Sequence, residues 1–187
     1  MPTSSRAALL ELPVERTAAL CDALSRTHDF EGVMQILEGA RRELLGEGLL
    51  TVNLRTDRLP GRSAMKARED DVELQRVWSS DVDAYPLAGR KRKSWTSWTL
   101  QLLGRGEVFV GEGAAAIEEA FSDHALIASL GLQSVVNVPL LDPHDVCFAT
   151  FNVLTPQARW TPRDVVSIRL LALLATPAVA LEAVRLS

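Results

Sequence analysis

Apolar residues recur at two periods along this chain, and each change of period marks a new element. In "FEGVMQILEGARRELL", Phe30, Val33, Met34, Leu37 and Leu44 share one broad face at helical spacing, and Gly46 and Gly48 end the segment. Upstream, "LPVERTAALCDALSRTHDF" puts Leu20, Ala23 and Leu24 on one side of a first helix, and Asp29 stands where a cap for the second belongs. "GLLTVNLRT" then shifts to a period of two, with Leu50, Val52 and Leu54 alternating with Thr51, Asn53 and Arg55. "DVELQRVWSS" repeats that logic with Val72, Leu74 and Arg76. Between them, "DRLPGRSAMKARED" is too long for a tight hairpin and reads as a mobile loop or a short helix.

The second half extends the pattern. "FVGEGAAAIEEAFSD" predicts a helix, and Asp123 after "AFS" is placed to cap a shorter one, "HALIASLG", which Gly131 ends. "LQSVVNVPLLD" and "DVCFATFNVLTP" alternate as two strands, and the turn residues "DPHD" make them an antiparallel pair. The strand cores fall near 49–55, 71–78, 107–110, 133–141 and 146–154. A long C-terminal helix follows, capped by Thr161 with Pro162 at its first position and Asp164 in its first turn. Pro177 predicts a bend or break within it. The expected fold is α/β of the α+β kind, with five or six mostly antiparallel strands and helices packed on them.

Composition narrows the function classes. The 187 residues suffice for one domain with a real core, and 47 % apolar content argues against disorder. A net charge of −4 argues against general nucleic-acid binding. Cys21 and Cys147 are too few for a disulfide framework or a four-cysteine zinc site. His28, His124 and His144 form no close-spaced motif, so no metal is expected. "MPTSSRAALLELPVER" carries neither a signal peptide nor a membrane span, which makes a cytoplasmic protein the default. The small-residue tail "ALLATPAVALEAV" contains Pro177 and Glu182 and reads as a buried or dimer-forming helix rather than a span.

The segments "SWTLQLLGRGEVFVG", "AIEEAFSDHALIASLGLQSVVNVPLL", "DVCFATFNVLT" and "WTPRDVVSIRLLA", in that order, resemble the GAF family of small-molecule-binding regulatory domains. The resemblance covers roughly residues 30–180 and rests on segment order and the two late strands. It implies a central antiparallel sheet flanked by helices, a pocket between the sheet and the elements crossing it, and terminal helices that form a dimer surface. Residues 1–29 then make an N-terminal extension whose helix packs on the domain, and 30–187 make the GAF-like domain with its C-terminal helix. No room is left for a kinase, a cyclase or a separate DNA-binding module. Output is therefore expected through another chain, a second copy or a protein partner.

Trp78, Trp95, Trp98, Phe109, Phe121, His124 and Asn137 are the candidate pocket wall. The aromatic rings suit a planar or apolar molecule, or else pin helices onto the sheet; His124 and Asn137 suit polar groups. His124 is also the candidate acid or base and Cys147 the candidate nucleophile if the pocket turns its ligand over, although a small buried structural cysteine explains Cys147 as well. The family includes free methionine sulfoxide reductases, but their reactive and resolving cysteine set has no counterpart here. The basic run "GRKRK" reads as a solvated loop or as a contact for an anion, and Ser94 as the cap of a helix starting near Trp95. The cofactor is left unknown. Binding of a small organic ligand by a sensory or regulatory domain is the favoured reading, ahead of an enzyme acting in the same pocket or a homodimeric interaction protein with a vestigial one.

Overall fold

The computed structural model describes residues 13–58, 71–87 and 90–187, so the loop reading of 59–70 lies outside the described residues. Helix α1 (Val14–Arg26) precedes α2 (Phe30–Leu45), whose N-cap Asp29 accepts from Gly32 N–H at 2.7 Å. Strands β1 (Leu49–Arg55), β2 (Asp71–Ser79) and β3 (Arg90–Ser94) follow. A short helical turn, α3 (Ser97–Thr99), runs into a π-helical turn at Leu100–Gly104. Then come β4 (Phe109–Glu112), α4 (Gly113–Ala120), α5 (His124–Ser129), β5 (Ser134–Leu141), β6 (Cys147–Thr155) and α6 (Pro162–Arg185). The six strands form one sheet in the order β3-β2-β1-β6-β5-β4, with every neighbouring pair antiparallel.

Alternation divides the sheet into two unlike faces. Leu50, Val52, Leu54, Val136, Val138, Phe151 and Val153 turn to one side, where α1, α2 and α6 cover them in the main core. Thr51, Asn53, Asn137 and Asn152 turn to the other, beneath α3, the π-helical turn and α5. Apolar burial against helices stabilises the first face; the second must satisfy its polar groups by hydrogen bonding.

Several expectations are corrected. The basic run is not a loop: Arg90, Lys91, Arg92 and Lys93 form edge strand β3, with Lys91 opposite Leu74 and Lys93 opposite Val72. Charged side chains blunt an exposed edge against further pairing. Ser94 ends that strand instead of capping a helix; Thr96 is the cap, in a reciprocal box with Thr99. Helix α6 keeps its Thr161–Asp164 capping box but continues through Pro177 without a break. Pro177 removes the N–H that would bond the carbonyl of Leu173, a residue on the wet side of the helix where water can substitute.

By length and composition α6 could cross a bilayer, with a mean hydropathy of 1.8 over its most apolar window. Its inner residues Ile168, Leu171, Ala172, Ala175 and Val179 are nevertheless fully buried in the main core, so withdrawing it would open that core to water. Its outer face exposes Leu173, Leu174, Leu181 and Val184.

Two local devices shape the site. At the α2–β1 junction Gly48 has φ of +149°, and a Cβ there would lie 2.3 Å from the Leu154 carbonyl oxygen, so the closeness of β1 to β6 depends on glycine. In β2, Val52 pairs with Trp78 but Asn53 pairs with Arg76, leaving Val77 as a bulge. Simple alternation would send Trp78 to the same face as Leu74 and Arg76. The extra residue sends it to the helix-covered core instead.

Candidate functional site

The polar sheet face and its cover enclose a cavity of about 70 Å³. Its floor is a relay of amides. Trp98 Nε1–H donates to Asn137 Oδ1 at 2.9 Å, and Asn137 Nδ2 donates to Asn152 Oδ1 at 2.8 Å. Asn152 Nδ2 faces Thr150 Oγ1 at 3.1 Å and Thr51 Oγ1 and O, each at 3.3 Å. The relay crosses β5, β6 and β1 and fixes which amide atom each asparagine presents.

The cover is held in place from several directions. Arg55, almost fully buried, pairs with Asp57 and donates from Nη1 to the Leu103 carbonyl at 3.1 Å, tying the π-helical turn to the end of β1. Trp98, one turn earlier, meets Phe121 edge-on with centroids 5.5 Å apart. Tyr85 descends from the β2–β3 connection, where Asp81 Oδ1 accepts from the N–H groups of Asp83 and Ala84. Ile127 of α5 and Leu154 of β6 complete an apolar wall.

Charge collects at the β3 end. Lys91 and Lys93 alternate onto the cavity side and Arg76 joins them from β2. Lys91 Nζ lies 2.9 Å from Asp123 Oδ2, bridging the edge strand and the α4–α5 junction. Asp123 therefore occupies the cap position of α5 but makes no side-chain cap bond, contrary to the capping role expected of it; its carboxylate is engaged by the lysine. Burial works against that carboxylate, but the hydrogen bond and charge of Lys91, with Lys93 behind them, hold its pKa below the ordinary value. Burial lowers the pKa of Lys93, whose Nζ stands 5.6 Å from the Trp98 ring centre. Burial also lowers that of Arg76, offset in part by Tyr85 and Asp123.

Two buried polar atoms in this wall lack hydrogen bonds of standard geometry among the described residues. Arg76 stacks its guanidinium 4.5 Å from the Tyr85 ring centre and donates from Nη1 to the Pro86 carbonyl, but its buried Nε–H has no acceptor. The Tyr85 hydroxyl is buried with no hydrogen bond of standard geometry among the described residues; burial first, then the charge and hydrogen-bonding reach of Asp123, raise its pKa. A buried donor left unmade costs roughly 1–3 kcal/mol, so an acceptor that reached Arg76 Nε would recover that cost.

Of the candidate residues, the fold brings Trp98, Phe121 and Asn137 to the cavity. Phe109 packs behind Phe121 at 6.2 Å. Trp78 lies in the core on the opposite sheet face, and Trp95 sits at the surface with Arg55 6.0 Å from its ring. His124 is half-buried at the start of α5 and does not line the cavity. Reading by segment offered Lys91 and Lys93 only as part of a basic run that could meet an anion, and it left Arg76, Tyr85, Asp123 and Asn152 out of the pocket wall. Arg76 and Asn152 had a signal: each occupies an in-phase position of an otherwise apolar strand. Among the described residues, no cluster of three or more metal-ligating side chains occurs.

No protein-family model and no curated protein matches the chain. Solved structures do. The GAF domain of a phosphoenolpyruvate-protein phosphotransferase from Coxiella burnetii superposes with a TM-score of 0.63 at 8 % identity, over 91 % of this chain and 94 % of that one. That of a two-component sensor histidine kinase from Bacillus halodurans gives 0.58 at 14 % identity, over 86 % and 98 %. The chain adopts the GAF fold. Free methionine-R-sulfoxide reductase from Neisseria meningitidis, solved in complex with its substrate, also shares the GAF fold, with a TM-score of 0.54 at 13 % identity over 94 % of this chain and 95 % of that one.

The cysteines of this GAF fold are differently disposed from a reactive pair. Cys21 is exposed on α1, whereas Cys147 is buried at the start of β6, its thiol donating to the Ala149 carbonyl at 3.2 Å. Burial pushes the Cys147 pKa up to about 11, with Arg55 opposing only in part. A thiol so raised is a poor nucleophile at neutral pH. Native protein treated with iodoacetamide is expected to carry one label, on Cys21, with Cys147 modified only after denaturation; peptide mass spectrometry reads both. Labelling of Cys147 at a rate comparable to Cys21 would overturn this assignment.

Proposed function

We propose that this chain is a small-molecule-binding regulatory domain whose ligand sits between the polar sheet face and the cover of Tyr85, Trp98, Phe121 and Asp123. The observation that carries the reading is a cavity wall with two buried donors, Arg76 Nε and Tyr85 Oη, that make no hydrogen bond of standard geometry among the described residues. A ligand supplying acceptors there removes their desolvation penalty on binding, while the pre-bonded asparagine floor needs no rearrangement. The GAF domains of signalling proteins among the similar structures agree with a regulatory role. Turnover has less support: His124 stands outside the cavity and the Cys147 thiol is buried and protonated.

Output through a second copy of the chain is the accompanying proposal, since α6 exposes Leu173, Leu174, Leu181 and Val184 on its outer side. One experiment tests both. Native mass spectrometry of freshly purified protein is expected to give a dimer carrying a small molecule that denaturation releases. A protein that stays empty through a screen of small metabolites at millimolar concentration would sink the binding reading. A monomer at all concentrations would sink the dimer.

A further inference from the structure

The charge of the cavity identifies its ligand more closely, on the premise that this cavity is the binding site. Three cationic side chains, Arg76, Lys91 and Lys93, share it with one carboxylate, Asp123. Lys91 already neutralises Asp123 through their 2.9 Å contact. Among the described residues, neither Arg76 nor Lys93 forms an ion pair with a carboxylate, although the charge of Asp123 reaches both: Arg76 donates to the neutral Pro86 carbonyl and stacks on the Tyr85 ring, and Lys93 approaches the Trp98 ring. Tyr85, 5 % exposed, adds a buried hydroxyl donor beside Asp123, with no hydrogen bond of standard geometry. The cavity is thus lined by three cations against one carboxylate. Phe121, Ile127, Val135 and Leu154 supply apolar lining, packed in one cluster with the Tyr85 ring.

Size limits the choice. A volume of about 70 Å³ is well below the roughly 300–1,000 Å³ of pockets that hold drug-sized ligands. A nucleotide or a polycyclic ring does not fit without displacing the cover. We infer that the site takes a short-chain organic carboxylate, its anionic head against Arg76, Lys93 and the Tyr85 hydroxyl and its small apolar end against Phe121 and Ile127. An inorganic anion satisfies the cations but wastes the apolar wall. A zwitterionic amino acid would need Asp123 for its ammonium, and Lys91 already holds that group.

The test uses the full chain in a carboxylate-free and phosphate-free buffer. Acetate, propionate and pyruvate are titrated by calorimetry, alongside the neutral acetamide and propionamide, alanine and inorganic phosphate. The expected result is saturable binding of at least one carboxylate, with its amide isostere at least about tenfold weaker, since a charge-assisted hydrogen bond is lost. Arg76→Gln and Lys93→Met should each weaken the carboxylate by about tenfold or more, and Tyr85→Phe by a smaller factor, with folding checked by circular dichroism. Lys93 is on an edge strand, so its variant keeps the test open if Arg76→Gln does not fold. Amides binding as tightly as acids, alanine or phosphate binding more tightly, or undiminished affinity in both Arg76→Gln and Lys93→Met would each overturn the carboxylate assignment. In those cases binding that still depends on Trp98 or Tyr85 would leave the small-molecule reading standing. No binding by any probe, together with an empty protein in native mass spectrometry, would overturn both.

Discussion

Replacing Arg41 with alanine is expected to cost about 3–5 kcal/mol of folding stability, as breaking a buried charge pair generally does. Arg41 has no exposed surface, yet it lies on α2 and does not line the cavity. Its Nε and Nη2 grip the two oxygens of Glu38 at 2.9 and 2.7 Å, while Nη1 donates to the Gly46 carbonyl at 2.9 Å. Gly46 has φ of +75° and Gly48 of +149°, so the guanidinium holds the carbonyl of a turn only glycines make easily. Alanine leaves Glu38 largely buried without its partner and the Gly46 carbonyl without a donor, and it vacates the volume of a long side chain. Arg41→Lys should recover less than half of the loss, because one ammonium cannot reproduce a bidentate grip and reach the turn together. Urea denaturation followed by circular dichroism gives the free energies. A loss below about 1 kcal/mol in Arg41→Ala would show that the junction is held by other contacts.

The importance of Arg41 could not be read from its place in "EGARRELL", where two adjacent arginines look equally wet; only the turn back to β1 selects the first. Elsewhere the sequence was more explicit. The helical period of α2 and the capping residues Asp29, Thr161 and Asp164 located both main helices, because caps and apolar spacing are local properties. Strands β1, β5 and β6 were legible because one of their faces is continuously apolar. Strand β3 was not, because "RKRKS" has no apolar residue to reveal a period; its extended form comes from pairing with β2. The bulge at Val77 was equally hidden, and with it the face of Trp78, since one extra residue reverses every assignment beyond it. The site divides the same way. Asn137 and Trp98 were found as polar or aromatic residues in apolar surroundings. Arg76, Lys91, Lys93 and Asp123 meet only in the folded sheet, where the edge strand carries its lysines opposite the α4–α5 junction.

That assembly makes the floor and the rim of the cavity mechanically different. The rim depends on the Lys91–Asp123 bridge, whose members are 44 % and 21 % exposed at the side chain, so solvent screens it and it can open at modest cost. The floor is made of buried amides whose alternatives are unsatisfied. A ligand is accordingly expected to move the rim and leave the floor in place.

Asn152→Ala should therefore destabilise the fold by about 2–4 kcal/mol, more than its small loss of volume implies, because it interrupts the amide relay at its centre. Asn152 is 5 % exposed and connects three strands, accepting from Asn137 on β5 and donating toward Thr51 on β1 and Thr150 on its own strand. Removing it leaves the Asn137 Nδ2 donor without its acceptor and the Thr51 acceptors without their donor. Part of the cost returns if water enters from the adjoining cavity, which places the expectation below that of a dry core site. Asn152→Asp should be no better than alanine: a carboxylate can accept from Asn137, but it turns a second acceptor toward the Thr51 carbonyl instead of a donor. A double-mutant cycle separates the relay from the contacts. If Asn137 and Asn152 act as one network, Asn137→Ala and Asn152→Ala together should cost less than the sum of the single losses, by about 1 kcal/mol or more, since the second substitution removes a partner already stranded. Denaturant unfolding of the four proteins supplies every term. Additive losses would mean that each asparagine is satisfied independently, and the floor would then have no cooperative rigidity to offer a ligand.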